Sequence, residues 1–173
     1  VNESLGVTKG FFPSLVLLLA VVVAAVPWAL PVAAGFVLPL QLIIFVFALS
    51  LQRKYELPTL TVFAAGLLMD VLTAGPLGYW AIIFLITHTL ARFLVRRTMP
   101  ISFLMLWVAF AATAATASIT GWALASLYFV RLIDWQPMLI GAMAAIALFP
   151  LISWPLRRSL GLMSRSGTLG RRR

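Results

Sequence analysis

Apolar and polar positions alternate along this chain at the scale of whole segments rather than single turns. Long uncharged runs are separated by short stretches that hold either the charges or clusters of Pro and Gly. A bilayer hydrocarbon core about 30 Å thick is crossed by about 20 helical residues, so each run predicts a transmembrane helix. Six are predicted, over residues 11–30, 36–51, 57–73, 77–95, 101–130 and 135–156, the third of them short. Pro27, Pro31 and Gly35 punctuate the first connection, and Thr73, Ala74, Gly75 and Pro76 form an uncharged turn between the third and fourth spans. A turn that tight makes those two helices antiparallel neighbours. The fold class predicted is an all-α, six-helix polytopic membrane bundle over residues 11–156, with a short segment 1–10 before it and a basic tail 157–173 after it.

Charge sets the direction of the spans. Thirteen Lys and Arg stand against four Asp and Glu, a net +9 that in a soluble chain would suggest nucleic acid. Placing the N-terminus in the cytoplasm puts Lys9, Arg53, Lys54, Arg92, Arg96, Arg97 and the Arg-rich tail on one side and leaves Arg131 alone on the other. That asymmetry is the positive-inside rule, so the charge reports topology: both termini cytoplasmic, with no nucleic-acid partner. Trp28, Tyr79, Trp80, Tyr128 and Trp135 are expected near the outer boundary, and Tyr55, Trp107 and Trp154 near the inner one. Lys9 followed by an apolar run resembles a secretory leader, but the run outlasts the 7–15 residues of an h-region and further spans follow, so it is expected to stay as the first helix.

Composition narrows the chemistry. Hydrophobic residues make up 63% and charged residues 10%, with mean hydropathy +1.09, whereas soluble domains are about 45–50% apolar and about 25% charged. With no Cys and one His, thiolate, disulfide and multi-His metal chemistry lack their ligands. No GxxxxGK phosphate loop occurs. One His and four acids leave little material for catalysis, and neither cofactor nor metal is expected.

Asp70 is the acid set within an apolar span, where a carboxylate at mid-bilayer costs about 2.5–3.5 kcal/mol and must face protein or water. At 1.5 Å rise per residue His88 lies about 12 Å deeper, too far for a direct pair. Gln41 or backbone N–H groups around Gly75 are the expected partners. Three roles stand open for Asp70: a polar lock on the turn, part of a partner-binding surface, or, less favoured, ligand or proton chemistry. His88, between Thr87 and Thr89, reads as a buried hydrogen-bonding residue, and Arg131 with Asp134 as a solvated surface pair. An aspartyl hydrolase would need Asp70 and Asp134 to share a proton. Small residues recur at Ala20/Ala24, Ala25/Ala29, Thr113/Ala117/Gly121/Ala125 and Gly141/Ala145, suited either to internal packing or to a partner's helix.

The stretch from Phe63 to Gly78 resembles the signature region of the bacterial rod-shape-determining membrane protein family MreD, whose pattern has the form G-L-L-x-D-x-L-x-x-G-P-L-G. Gly66, Asp70, Gly75, Pro76, Leu77 and Gly78 fall on its positions. Chain length, short loops and the Phe149-Pro150 step before a basic end are similar too, while Ala48 to Lys54 lacks the aromatic and Pro residues that members often carry there. The resemblance implies a non-enzymatic scaffold of the cell-elongation machinery in the bacterial inner membrane, acting with the periplasmic protein MreC as first partner and with MreB, RodA and a penicillin-binding transpeptidase in peptidoglycan synthesis. It also implies a fold similar to the S subunits of energy-coupling-factor transporters. A small-molecule-binding S-type subunit is the alternative, and it would need several convergent polar groups in a pocket.

Overall fold

The computed structural model describes residues 2–26, 37–52, 57–97 and 103–159. They form six helices: α1 (Asn2–Ala25), α2 (Val37–Ser50), α3 (Thr59–Leu72), α4 (Tyr79–Arg97), α5 (Phe103–Tyr128) and α6 (Gln136–Ser159). No strand occurs among the described residues. The predicted order and number hold, with two shifts at the ends. Residues 2–10, expected to precede the first span, belong to α1, and α6 continues to Ser159. Nothing in the first or last of those stretches breaks a helix, so the charge changes that marked the expected boundaries do not end the backbone pattern.

The helices pack as two rows of three. α1, α2 and α6 form one row, α3, α4 and α5 the other, with α1 on α3, α2 on α4 and α6 on α5. α2 reads VLPLQLIIFVFALS, apolar on every side, and a helix with no polar face is stable only where every side is covered. It sits at the middle of its row, and from Leu42 to Leu51 all but Phe45 are buried. Phe47 lies edge-on to Phe110 and Phe149, centroids 5.2 and 5.9 Å away, while Phe110 and Phe149 stack at 4.2 Å. This cluster joins α2, α5 and α6 with the offset and T-shaped geometries that ring quadrupoles favour.

Small residues are used inside the bundle. Thr113, Ala117, Gly121 and Ala125 are all buried on α5, and a Cβ on Gly121 would meet the Tyr79 hydroxyl at 2.9 Å. Gly141 and Ala145 are buried on α6 as well; Ala29 lies outside the described residues. Two of the expected boundary aromatics are on the surface, Tyr128 and Trp135, but Trp80 is only 5% exposed. Its ring packs between Tyr79 and Phe84, so it is core rather than anchor. Trp28 and Tyr55 lie outside the described residues, and for Trp154 only the backbone is described.

Two segments, Phe103–Tyr128 and Gln136–Ser153, are long and apolar enough to cross a membrane, and only 28% and 33% of their apolar windows is buried in the bundle. The core helix of a soluble protein would hide most of such a surface. The remaining apolar stretches, Pro13–Ala25, Gln41–Ser50, Thr59–Leu72 and Tyr79–Leu94, are shorter.

Candidate functional site

The turn between α3 and α4 is built around Asp70. α3 ends at Leu72, and the next residues close a Schellman motif: Gly75 N–H donates to Asp70 O at 3.0 Å and Ala74 N–H to Val71 O at 3.2 Å. The motif needs a left-handed residue at Ala74, which has φ 49° although Gly is the unstrained choice there. Thr73 Oγ1 adds a bond to Met69 O at 2.7 Å. Pro76 O then accepts from Tyr79 N–H at 3.2 Å, and Gly78, at φ 95°, turns the chain into α4.

The first N–H groups of a helix have no partner within it. In α4 two of them are met by α3: Gly78 N–H donates to Asp70 Oδ2 at 2.7 Å and Trp80 N–H to Asp70 Oδ1 at 2.8 Å. Asp70 is therefore an N-cap supplied from the preceding helix, with its charge on the positive end of the α4 dipole. It is 0% exposed. Both carboxylate oxygens accept from main-chain donors, an arrangement that positions the two helices.

One turn earlier, Gly66 sets the distance. A Cβ there would stand 2.3 Å from Ala81 Cα and 2.6 Å from Ala81 N, so only Gly lets the two backbones approach as closely as the cap requires. The motif residues thus divide by task. Gly66 sets the crossing, Asp70 the cap, Gly75 and Pro76 the turn, and Gly78 the entry to α4. Leu77 does none of these, and it is 76% exposed at the tip.

Sequence placed the donors near Gly75 or on Gln41. The donors are main-chain groups, as one alternative had it, but they belong to Gly78 and Trp80. Gly75 N–H serves the carbonyl of Asp70 instead, and Gln41 is on α2, diagonal to α3 in the two rows.

No family model, curated protein or solved structure matches this chain. The site is defined by its own geometry.

His88 sits apart from Asp70, in a second polar cluster. Ser50 Oγ–H donates to Val46 O at 2.5 Å, so its oxygen is free to accept from His88 Nδ1–H at 2.7 Å. Nε2 then takes the longer contact, 3.4 Å, from Thr59 Oγ1. The ring joins the end of α2 to the start of α3 and to α4, the buried hydrogen-bonding role expected of it. Arg131 and Asp134 are exposed, as expected, but do not pair. Asp134 Oδ1 accepts from Gln136 N–H at 3.1 Å, while the Arg131 guanidinium stands 5.9 Å over the Phe129 ring. A solvated ion pair contributes little, and a helix start offers the carboxylate a fixed donor instead. Asp70 and Asp134 are thus each engaged with backbone, at two different connections. Among the described residues no three His, Cys, Asp or Glu side chains converge as a metal site.

Sequence reasoning missed Trp80 N–H as a ligand, the left-handed residues Ala74 and Val130, and the Ser50–His88–Thr59 bridge. Backbone donors and dihedral signs leave no residue-type signal. The spacing of Gly66 four residues before Asp70, one helical turn on one face, was the available clue to the crossing.

Proposed function

We propose that this chain is a non-enzymatic scaffold of MreD type, with all six helices embedded in the bacterial inner membrane and both termini cytoplasmic, holding MreC for the cell-elongation machinery. The observation that carries the reading is Leu77. Five of the six motif residues are accounted for by building the α3–α4 turn, while the sixth is a large apolar side chain projecting from that turn without a structural task. A residue that fits the motif yet does nothing for the fold has its use outside the chain. The rigid turn beneath it, capped by a buried carboxylate, is a platform that presents Leu77 at a fixed angle, and a preorganised anchor lowers the entropic cost of docking.

The test is capture of MreC from native membranes in mild detergent by a tagged copy, in cells depleted of their own. Leu77→Ser is expected to cut MreC recovery about tenfold, a ~1.4 kcal/mol loss typical of one buried interface anchor, and to round the cells, with the thermal midpoint of the purified protein unchanged. Rods and full MreC recovery with this variant would remove the reading.

A further inference from the structure

The connection from α5 to α6 presents a contradiction of solvents. Val130 and Leu132 are 91% and 83% exposed and Trp135 58%, too much apolar surface for one short loop in water. The same loop has non-helical backbone and an exposed Arg131 and Asp134, which hydrocarbon does not tolerate. Only a layer that is apolar on one side and charged on the other meets both demands. We propose that residues 129–135 seat in the phospholipid headgroup layer, Arg131 taking a lipid phosphate while Val130, Leu132 and Trp135 lie against the acyl boundary.

Three observations converge on that occupant. α5 has 26 residues, about 39 Å, longer than a core of about 30 Å is thick, so its length is enough to bring the connection after Tyr128 to the headgroup layer. Arg131 has no carboxylate partner among the described residues, because Asp134 is held by Gln136 N–H, and a guanidinium set over the Phe129 ring keeps its fork free for phosphate oxygens. Val130 sits at φ 51°, the left-handed position closing the Schellman motif in which Arg131 N–H donates to Ser126 O at 3.2 Å. Gly would be relaxed there. A β-branched residue is strained in that conformation, and its almost wholly exposed side chain gains no packing within the chain to offset the strain. The loop lies at the same end of the bundle as the Asp70 turn, since Gly121, late in α5, packs on Tyr79 at the start of α4.

The inference rests on the membrane placement proposed above, not on the MreC partnership, and one experiment separates the two. The chain has no Cys, so Leu132→Cys and Ile119→Cys each give a unique spin-label site in the full-length protein. In nanodiscs of phosphatidylethanolamine and phosphatidylglycerol, collisions with oxygen and with a nickel chelate report depth. The label at 119, on the exposed middle of α5, is expected in hydrocarbon, and that at 132 at headgroup depth. Adding Arg131→Glu is expected to raise nickel collisions at 132 about fivefold, the factor for ~1 kcal/mol from one basic residue at a lipid surface, and Arg131→Lys to raise them less, since an ammonium keeps the charge but not the fork. Adding Val130→Gly relaxes the backbone and is expected to raise the thermal midpoint in detergent while moving the label at 132 outward. A label at 132 fully open to nickel while that at 119 is shielded, or one shielded only when other proteins are added, overturns the headgroup site and leaves the membrane placement standing. A label at 119 open to nickel overturns both.

Discussion

Asp70 is a carboxylate without solvent, stable only because Gly78 and Trp80 present their N–H groups to it. Removing it orphans a buried donor at Trp80, at about 1–3 kcal/mol, and a part-buried one at Gly78, at somewhat less. Asp70→Ala is expected to destabilise the purified protein by about 2–5 kcal/mol in chemical unfolding. Asp70→Asn is expected to fall between it and the parent, since an amide offers one acceptor oxygen and turns a donor toward the other N–H. Equal stability for all three would show the cap to be dispensable. Ala74 gives the opposite sign: exposed, at φ 49°, it incurs a left-handed penalty of about 1–2 kcal/mol that Gly lacks, partly offset by the greater chain entropy of Gly. Ala74→Gly should therefore stabilise by about 0.5–1 kcal/mol in the same assay. Gly78→Ala should destabilise although nothing lies within 4 Å of its would-be Cβ, since φ 95° and not space is the obstacle. At this scale the sequence singles out Asp70, because an acid in an apolar span is rare. Main-chain donors near the turn were among its expected partners, but which of them was not legible, because every residue type except Pro has a main-chain N–H.

Between elements, Gly66 and Asp70 act as one unit. A Cβ at Gly66 would strike the Ala81 backbone, and backbone cannot yield as a side chain can, so α4 must move away and draw Gly78 and Trp80 off the carboxylate. Gly66→Ala should destabilise by about 1–3 kcal/mol through overpacking, and its effect should not add to that of Asp70→Ala. In a double-mutant cycle the pair should fall short of the sum by about 1 kcal/mol or more; strict additivity would uncouple the crossing from the cap. Gly121 provides the contrast. Its would-be neighbours are the Tyr79 hydroxyl and Ile83 Cδ1, ends of flexible side chains, so Gly121→Ala should be milder. The small-residue periodicity on α5 was legible from sequence, and so was its suitability for close packing. Whether the stripe met a neighbour inside the chain or a helix outside it was not, since both surfaces ask for the same residues.

For the whole molecule, six segments and their order could be read from the apolar runs, but not the two rows. Helices such as α2 and α5 are apolar on all sides, so their sequence marks no face for the core, and the neighbour of each is chosen by shape at contacts like the Phe47, Phe110 and Phe149 cluster. The rows have a consequence for the proposed membrane placement. α2 and α3 each have 14 residues, about 21 Å, short of a core about 30 Å thick. α2 is buried from Leu42 to Ser50 apart from Phe45, but α3 stands at the end of its row and exposes Leu60, Phe63, Val71 and Leu72. Lipid beside α3 must thin to cover it, at fractions of a kcal/mol per Å of mismatch. The protein reconstituted in phosphatidylcholines of rising chain length, from about 14 to about 22 carbons, is therefore expected to lose several degrees of thermal midpoint as the bilayer thickens. Lengthening α3 by a turn of Leu and Ala at its start, away from the Asp70 turn, should flatten that dependence. A midpoint indifferent to thickness in the parent protein would mean that lipid does not cover this face, and that a partner's helix or water does.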